Sequence, residues 1–401
     1  MSAKKATHQQ TKQHNRDLVL RQVFKHPTIS RAQIARVTKL TRPTVSDIVG
    51  NLIDEGLVEE VGYGKSIGGK MPILLSLIPD SRHLIGLNLS QEKFIGAIVN
   101  LRGEIKKTEE ITVSDSDGEK ALKNVYQILD RLVENTLKPI VGIGVGTQGL
   151  VNTRDGIVVK AVNLEWQNLP LAQMLEERYR IPVSVLNDSQ ANAIGVFVYG
   201  GDHKADSNLV VVNARHGIGA GILINGQLFQ GDGFGAGEIG HVTVQEDGLL
   251  CRCGQRGCLE AIASPRAVVQ RVKDLVKDYK DSVLAEDIEN VSLDSIVSAY
   301  QEKDPLAQLV INDAAHYLGL SIASLVGTLN IQKIILTGNM VRFGQPWLET
   351  VRESMLKGSL RRMSQDTHLE IGDLEFQGCI LGASFFILLE SYSLLFNQSN
   401  E

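Results

Sequence analysis

Apolar positions in the first eighty residues recur at helical spacing and then give way to strand-like runs. Leu20, Val23 and Phe24 share one face of the run Leu18–Phe24, which predicts a helix. Ser30-Arg31-Ala32-Gln33 reads as a capping box, with Ser30 as N-cap and Gln33 reaching back. The helix it opens is expected to bury Ile34, Ala35 and Val37. Thr41 is placed to cap a third helix, with Pro43 in its first turn, where a missing N–H costs nothing. Val45, Ile48, Val49, Leu52 and Ile53 then form one continuous stripe. After Gly56, two strand-like runs flank a glycine-rich tip bearing Lys65 and Lys70, the pattern of a β-hairpin.

Beyond Asp80 the pattern alternates. HLIGLNL, KFIGAIVN and EIKKTEEITV read as successive strands, and a helix is expected over roughly Glu119–Asn135. PIVGIGV is a further strand, and VSVLND leads into a helix through Ala191 and Ala193. NLVVVNA and GAGILING form a strand pair around a glycine-rich turn. Helices dominate about 263–327, KIILTG is a late strand, and two more helices follow. The whole is α/β architecture without a short-period repeat. The longest apolar run, Cys379–Leu389, is too short to span a bilayer and reads as a buried helix, so no membrane partner is expected.

The length of 401 residues fits two or three domains. With 43% hydrophobic and 22% charged residues, a mostly disordered chain, a coiled coil and a disulfide-stapled miniprotein are excluded. The net charge of −5 hides an asymmetry. Residues 1–42 hold ten Lys/Arg against Asp17 alone, a balance of +9, so the rest carries −14. One end of the chain seeks polyanions and the other does not. The N-terminus lacks an apolar signal core, and a cytoplasmic location is expected.

Three helices and a hairpin, with a basic, Ser/Thr-rich start to the third helix, describe a winged helix-turn-helix. Arg42, Thr44 and Ser46 are the candidates for base edges, and Lys65 and Lys70 for phosphates or the minor groove of operator DNA. Arg16, Arg21, Arg31, Arg36 and Lys39 would neutralise phosphates. The competing reading is an ordinary three-helix module with a solvated basic face.

Three of four cysteines fall within eight residues: Cys251, Cys253 and Cys258. With His241 they make a Cys₃His set suited to a closed, structural tetrahedral Zn²⁺ site. The alternative is buried thiols beside a core histidine. Such a site would hold the loop that bears Glu238 and Glu260.

At this point the motifs are specific. GAGEIGH followed by CRCGQRGCLE, supported by AVNLEWQNLPL, VLNDSQANA and HGIGAGILINGQLFQGD, resembles the ROK family in its repressor branch, over nearly the whole chain. The resemblance implies a two-lobed actin/hexokinase-like (ribonuclease H-like) ROK domain behind the head, sugar in the cleft, and a homodimer or tetramer. It divides the chain into a head at 1–80, a first lobe at 81–200 completed by a C-terminal helix at about 379–396, and a second lobe at 201–378. It also implies sugar contacts at Asn163, Asn187, Asp188, Glu238, His241 and Glu260. Carboxylates accept charge-assisted bonds from vicinal hydroxyls. Each residue has a plainer reading: Asp188 as a helix cap, Glu238 and Glu260 as solvated loop acids, Asn163 as a turn residue. Trp166 reads as packing.

The chain departs from the family's kinases. Where they carry a DxGGTK-like loop, it has Asn88-Leu89-Ser90-Gln91-Glu92-Lys93; a GTG-like loop reads Arg215-His216-Gly217, and a late GGG-like turn reads Gly338-Asn339-Met340. No ATP is expected, and Asp188 without a positioned phosphoryl donor transfers nothing. The expected function is a sugar-responsive transcriptional repressor that is not an enzyme. The rivals are an ATP-dependent sugar kinase with a DNA-binding head, and a regulator controlled by a partner protein.

Overall fold

The computed structural model describes residues 8–65, 71–113, 118–134, 136, 138–201, 207–374 and 377–390. Lys70 and positions 391–396 of the expected C-terminal helix lie outside them.

The head comprises α1 (His8–Lys25), β1 (Ile29–Ser30), α2 (Arg31–Thr38), α3 (Arg42–Asp54), β2 (Val58–Tyr63) and β3 (Ile73–Leu77). The capping box at Ser30 and the Thr41 cap form as expected. The antiparallel β2–β3 hairpin carries a bulge between Glu60 and Gly62, and β1 pairs with β3. One expectation fails: α2 buries Ile34 alone, and Val37 is 58% exposed. A helix of eight residues offers its neighbours too little face to cover three side chains.

The first lobe runs through β4 (His83–Leu89), β5 (Lys93–Asn100), β6 (Ile105–Thr112), α4 (Gly118–Glu134), β7 (Ile140–Thr147), β8 (Leu150–Asn152), β9 (Ile157–Ala161), β10 (Trp166–Leu169), α5 (Leu171–Tyr179), β11 (Val183–Asn187) and α6 (Asp188–Tyr199). Its main sheet has the order β11-β7-β4-β5-β6, and β8, β9 and β10 form a small second sheet. The small sheet was not expected from the sequence.

The second lobe contains β12 (Leu209–Ala214), β13 (Ile218–Ile224), β14 (Gln227–Phe229), α7 (Glu260–Ala263), α8 (Pro265–Leu275), α9 (Leu293–Gln301), α10 (Pro305–Leu329), β15 (Lys333–Thr337), α11 (Gly344–Gly358), α12 (Arg361–Ser364) and β16 (His368–Ile371). Its sheet order, β14-β13-β12-β15-β16, repeats that of the first lobe: a three-strand antiparallel meander, then two parallel strands on the far side of its first strand. The repeat is one of topology, which a search for sequence periodicity does not reveal. Helix α10 is 25 residues long and apolar enough by composition to cross a membrane. Leu306, Val310, Ile311, Leu318 and Ile322 instead fill the second lobe's core.

The last described element, α13 (Gln377–Glu390), lies on the first lobe's sheet and along α6. Glycines make this approach possible. A Cβ on Gly144 would sit 1.8 Å from the Ala383 carbonyl, and one on Gly86 2.2 Å from that of Ile380. A Cβ on Gly195 of α6 would meet the Gly378 carbonyl at 2.0 Å, and one on Gly382 the Ala191 carbonyl at 1.8 Å. Gly382→Ala should therefore force α6 and α13 apart, costing about 1–3 kcal/mol. A thermal midpoint unchanged from the parent's would contradict this packing.

Candidate functional site

The cleft site begins where β11 gives way to α6. Asn187, not Asp188, is the cap: its Oδ1 accepts from Ser189 N at 2.8 Å and Gln190 N at 3.2 Å. Its amide donates to the Gly149 carbonyl at 3.0 Å and to Glu238 Oε1 at 3.4 Å. Asn187 thus joins three segments. Gln190 donates to the carbonyls of Phe234 and Ala236, pinning the loop that carries Glu238 against α6.

Three carboxylates are drawn together. Burial pushes the Asp188 carboxyl up to about 6, although its bond from Ser189 N and the nearby Arg215 pull the other way. Burial, then the charges of Asp188 and Glu260, push Glu238 up to about 7. Glu260 Oε2 accepts from Ile218 N at 3.0 Å, and a Cβ on Gly217 would lie 2.1 Å from that oxygen. The glycine of the Arg215-His216-Gly217 turn is what lets the carboxylate rest on the backbone.

Asn163 is exposed. Its amide donates to Gln148 Oε1 at 2.8 Å, and its Oδ1 accepts from Arg252 Nη1 at 3.1 Å. Arg252 stands between Cys251 and Cys253, so the cysteine knuckle reaches across to the turn between β9 and β10. No spacing rule signals Arg252. Trp166 packs, 4% exposed, with Nε1 donating to the Gly118 carbonyl at 2.9 Å.

One ligand atom from each of His241, Cys251, Cys253 and Cys258 lies within 4.8 Å of all the others. Cys253 and Cys258 Sγ are 3.6 Å apart, and Cys251 Sγ is 3.7 Å from His241 Nδ1. Tetrahedral zinc with Zn–S bonds of about 2.3 Å requires sulfur separations of this size. Burial and the neighbouring thiols push Cys258 up to about 12, and burial raises Cys251. A dication is the charge that lets such thiols ionise together. The donor set therefore fits zinc. His241 Nε2, the nitrogen facing away from the thiols, is 3.9 Å from Glu238 Oε2, a link from the knuckle to the carboxylates.

Outside the carboxylates, the cleft opens into a cavity of about 1290 Å³. Lys120, Arg215, Arg252, Arg266, Lys273 and Arg342 line it, against Glu92, Glu165 and Asp294. The first loop is closed on itself: Asn88 is buried, Ser90 Oγ donates to the Lys93 carbonyl at 2.6 Å, and Glu92 faces His216 at 3.7 Å. Asn339 donates to the Arg215 carbonyl at 2.9 Å. The cations come from five segments, with Arg266 and Lys273 together on α8, so no local motif announces them.

On the head, Arg42 and Ser46 are exposed at the start of α3, and Lys65 is exposed beside the hairpin. The Thr44 hydroxyl bonds Thr41 Oγ1 at 2.8 Å and serves the cap first. Two phosphate candidates are engaged elsewhere. Arg16 pairs with Glu55, and Arg31 with Glu60 at 2.9 Å. Both acids lie far along the chain from their partners, which hid the pairing from sequence reading. Tyr63, 66% exposed on β2, is a further candidate that reading missed.

The profile of the ROK family matches residues 84–389, and a winged helix-turn-helix DNA-binding profile matches 16–59. The chain belongs to the ROK family. A xylose repressor of Caldicellulosiruptor bescii is 32% identical over 96% of this chain and 98% of its own. The structure of a ROK family transcriptional regulator, a homolog of the E. coli MLC protein, matches with a TM-score of 0.83 at 27% identity, covering 96% of this chain and 98% of that one. A ROK family glucokinase from Streptomyces griseus, solved with glucose and AMPPNP, matches with a TM-score of 0.68 at 25% identity, over 76% of this chain and 98% of its own. This member of the ROK family is a transcriptional regulator with a winged helix-turn-helix head for DNA, and it shares its two lobes with sugar kinases.

Two outcomes test the site of this ROK protein. Elemental analysis should find about one zinc per chain and none in Cys253→Ser, which should also melt lower; undiminished zinc would refute the ligand set. Asp188 has a folded-state value raised from 3.8 to about 6, so the folded chain holds the proton more tightly. Stability is then lost as pH rises through that interval. Asp188→Asn should remove the loss and become the more stable protein at pH of about 8, by on the order of 3 kcal/mol. Parallel melting curves at every pH would count against the raised value.

Proposed function

We propose that this regulator binds operator DNA as a dimer or tetramer and responds to a sugar held between its lobes. The reading is carried by one observation: Asp188, Glu238 and Glu260 stand close enough for their charges to act on one another, with Asn187 bonded to Glu238, while the loop that would cradle phosphates is closed. Carboxylates pressed together in a partly buried cleft gain most from a ligand that brings several hydroxyl donors. Asn163 and His241 complete the hydroxyl contacts in this reading. Zinc, when bound to His241, Cys251, Cys253 and Cys258, holds the knuckle in shape.

The moving parts are the head (1–80), a first lobe (81–200 with the C-terminal helix) and a second lobe (201–378). A sugar touching both lobes favours one lobe angle only if it binds that state more tightly. Arg42, Thr44, Ser46, Lys65 and Lys70 face DNA in this proposal, the Thr44 hydroxyl being shared with the cap residue Thr41.

A sugar kinase with a DNA-binding head is the second reading. Asp188 favours it, since a carboxyl raised to about 6 is suited to general base work. The cationic outer cleft gives it a place for phosphates, although the closed first loop opposes it.

Purified protein should capture discrete genomic fragments, and their recovery should change with one member of a panel of monosaccharides and phosphorylated sugars. Asp188→Ala should weaken that sugar about 10- to 150-fold and leave sugar-free DNA binding intact. Fragments indifferent to every sugar would reject the effector reading. Sugar-stimulated ADP release, abolished by Asp188→Asn, would establish the kinase instead.

A further inference from the structure

The head is not tethered to the first lobe by a linker alone. One hydrophobic cluster contains Val19, Leu20 and Val23 of α1, Leu84 and Leu101 of the first lobe, and Phe385 and Leu388 of α13. Two arginines of the first lobe meet the ends of head helices. Arg102 Nη1 donates to the Phe24 carbonyl at 2.6 Å, and its Nη2 to those of Val23 at 3.3 Å and His26 at 3.1 Å. Val23 and Phe24 lie in the last turn of a helix that ends at Lys25, and His26 follows it, so Arg102 sets its charge at the negative end of the helix dipole. Arg82, 8% exposed, donates to the carbonyl of Glu55, the C-cap of α3, at 3.4 Å.

The turn that carries Arg102 is itself fixed. Asn100, fully buried, accepts from the backbone N–H groups of Arg102 and Glu104, each at 3.0 Å. Gly103 has a φ of +81°, and a Cβ there would come within 2.3 Å of the Tyr199 ring. Tyr199 is the last residue of α6, the helix that starts at Asp188. Its ring meets Phe385 edge-on at 5.8 Å, and Phe385 meets Phe24 edge-on at 6.1 Å. A contact chain therefore runs from the cleft, along α6, through Phe385, to the end of α1 where Arg102 is bound.

We propose that Arg102 is the positioning residue that sets the angle of the DNA-binding head on the first lobe. The head then turns with α6 and α13 as one body, and a change of lobe angle becomes a change in where the head points. The second step rests on the proposed sugar response; the first does not. Arg102 holds three carbonyls with a planar fork, which a lysine ammonium cannot reproduce.

The test compares the parent chain with Arg102→Ala, Arg102→Lys and Phe385→Leu, on captured operator fragments and by hydrogen exchange. Without DNA or sugar, Arg102→Ala should speed exchange in the last turn of α1 and in the turn that follows it, with zinc content and sugar binding unchanged. Exchange identical to the parent's would overturn the proposal. On DNA, the parent should distinguish its own half-site spacing from one shifted by about 5 base pairs, by about 100-fold. In Arg102→Ala that preference should fall to within about threefold, with Arg102→Lys between. An equal loss of affinity at both spacings would mean that Arg102 only stabilises the fold, and would also overturn the proposal. Phe385→Leu keeps the bulk of the side chain and should blunt the sugar response while keeping the spacing preference. A parent that shows spacing preference but no sugar response would fail the effector reading and leave the positioning role standing.

Discussion

Helices α6 and α13 touch backbone to backbone, and much of the molecule is arranged around that contact. Gly195, Gly378 and Gly382 remove the Cβ atoms that would keep the helices apart, and Gly86 and Gly144 do the same for α13 against its sheet. Close approach of this kind leaves no room to slide, because each displaced carbonyl meets another main chain and not a compliant side chain. α6 also reaches the second lobe: Asn192 donates to Thr337 Oγ1 at 2.8 Å, and Asn213 to Ser189 Oγ at 3.4 Å. One helix thus bears the cleft acid Asp188 at its start, binds the second lobe along its length, and ends against the head's aromatic contacts.

The electrostatics of the cleft divide it into two halves. The inner half gathers Asp188, Glu238 and Glu260, with burial and mutual repulsion raising the first two. The outer half gathers cations in a region of the chain whose overall charge is negative. Arg215 belongs to both, since it lines the outer cavity and offsets the charge of Asp188. The cysteine knuckle spans the same divide through Arg252 and Asn163. A ligand that satisfies the acids without disturbing these pairs acts on both lobes at once, which is the physical requirement for a lobe angle to depend on it.

Local chemistry was readable along the chain. The Ser30 and Thr41 caps, the stripe of α3, the hairpin, the individual helices and strands of the α/β order and the Cys₃His spacing each depend on residues within about twenty positions of one another, where propensity and periodicity act directly. The ROK resemblance placed Asn187, Asp188, Glu238 and Glu260 in one pocket, and the fold brings them together. What the spacing did not supply was the role of each atom. Asn187 is the cap that the simpler reading gave to Asp188, and Arg16 and Arg31 are paired within the head.

The sequence by itself determined the helices and hairpin of the head, most strands of the two main sheets, the charge division between head and remainder, and the donor set for a metal. These follow from neighbours in the chain. Only the tertiary structure decided that α10 is a core helix, that the two lobes repeat one strand order, that six cations share a cavity, and that Arg102 closes the end of α1. Each of those depends on groups tens of residues apart being brought within a few ångströms. A side chain's hydrogen-bonding and charge are set by whatever arrives beside it, and the linear order does not record the arrival.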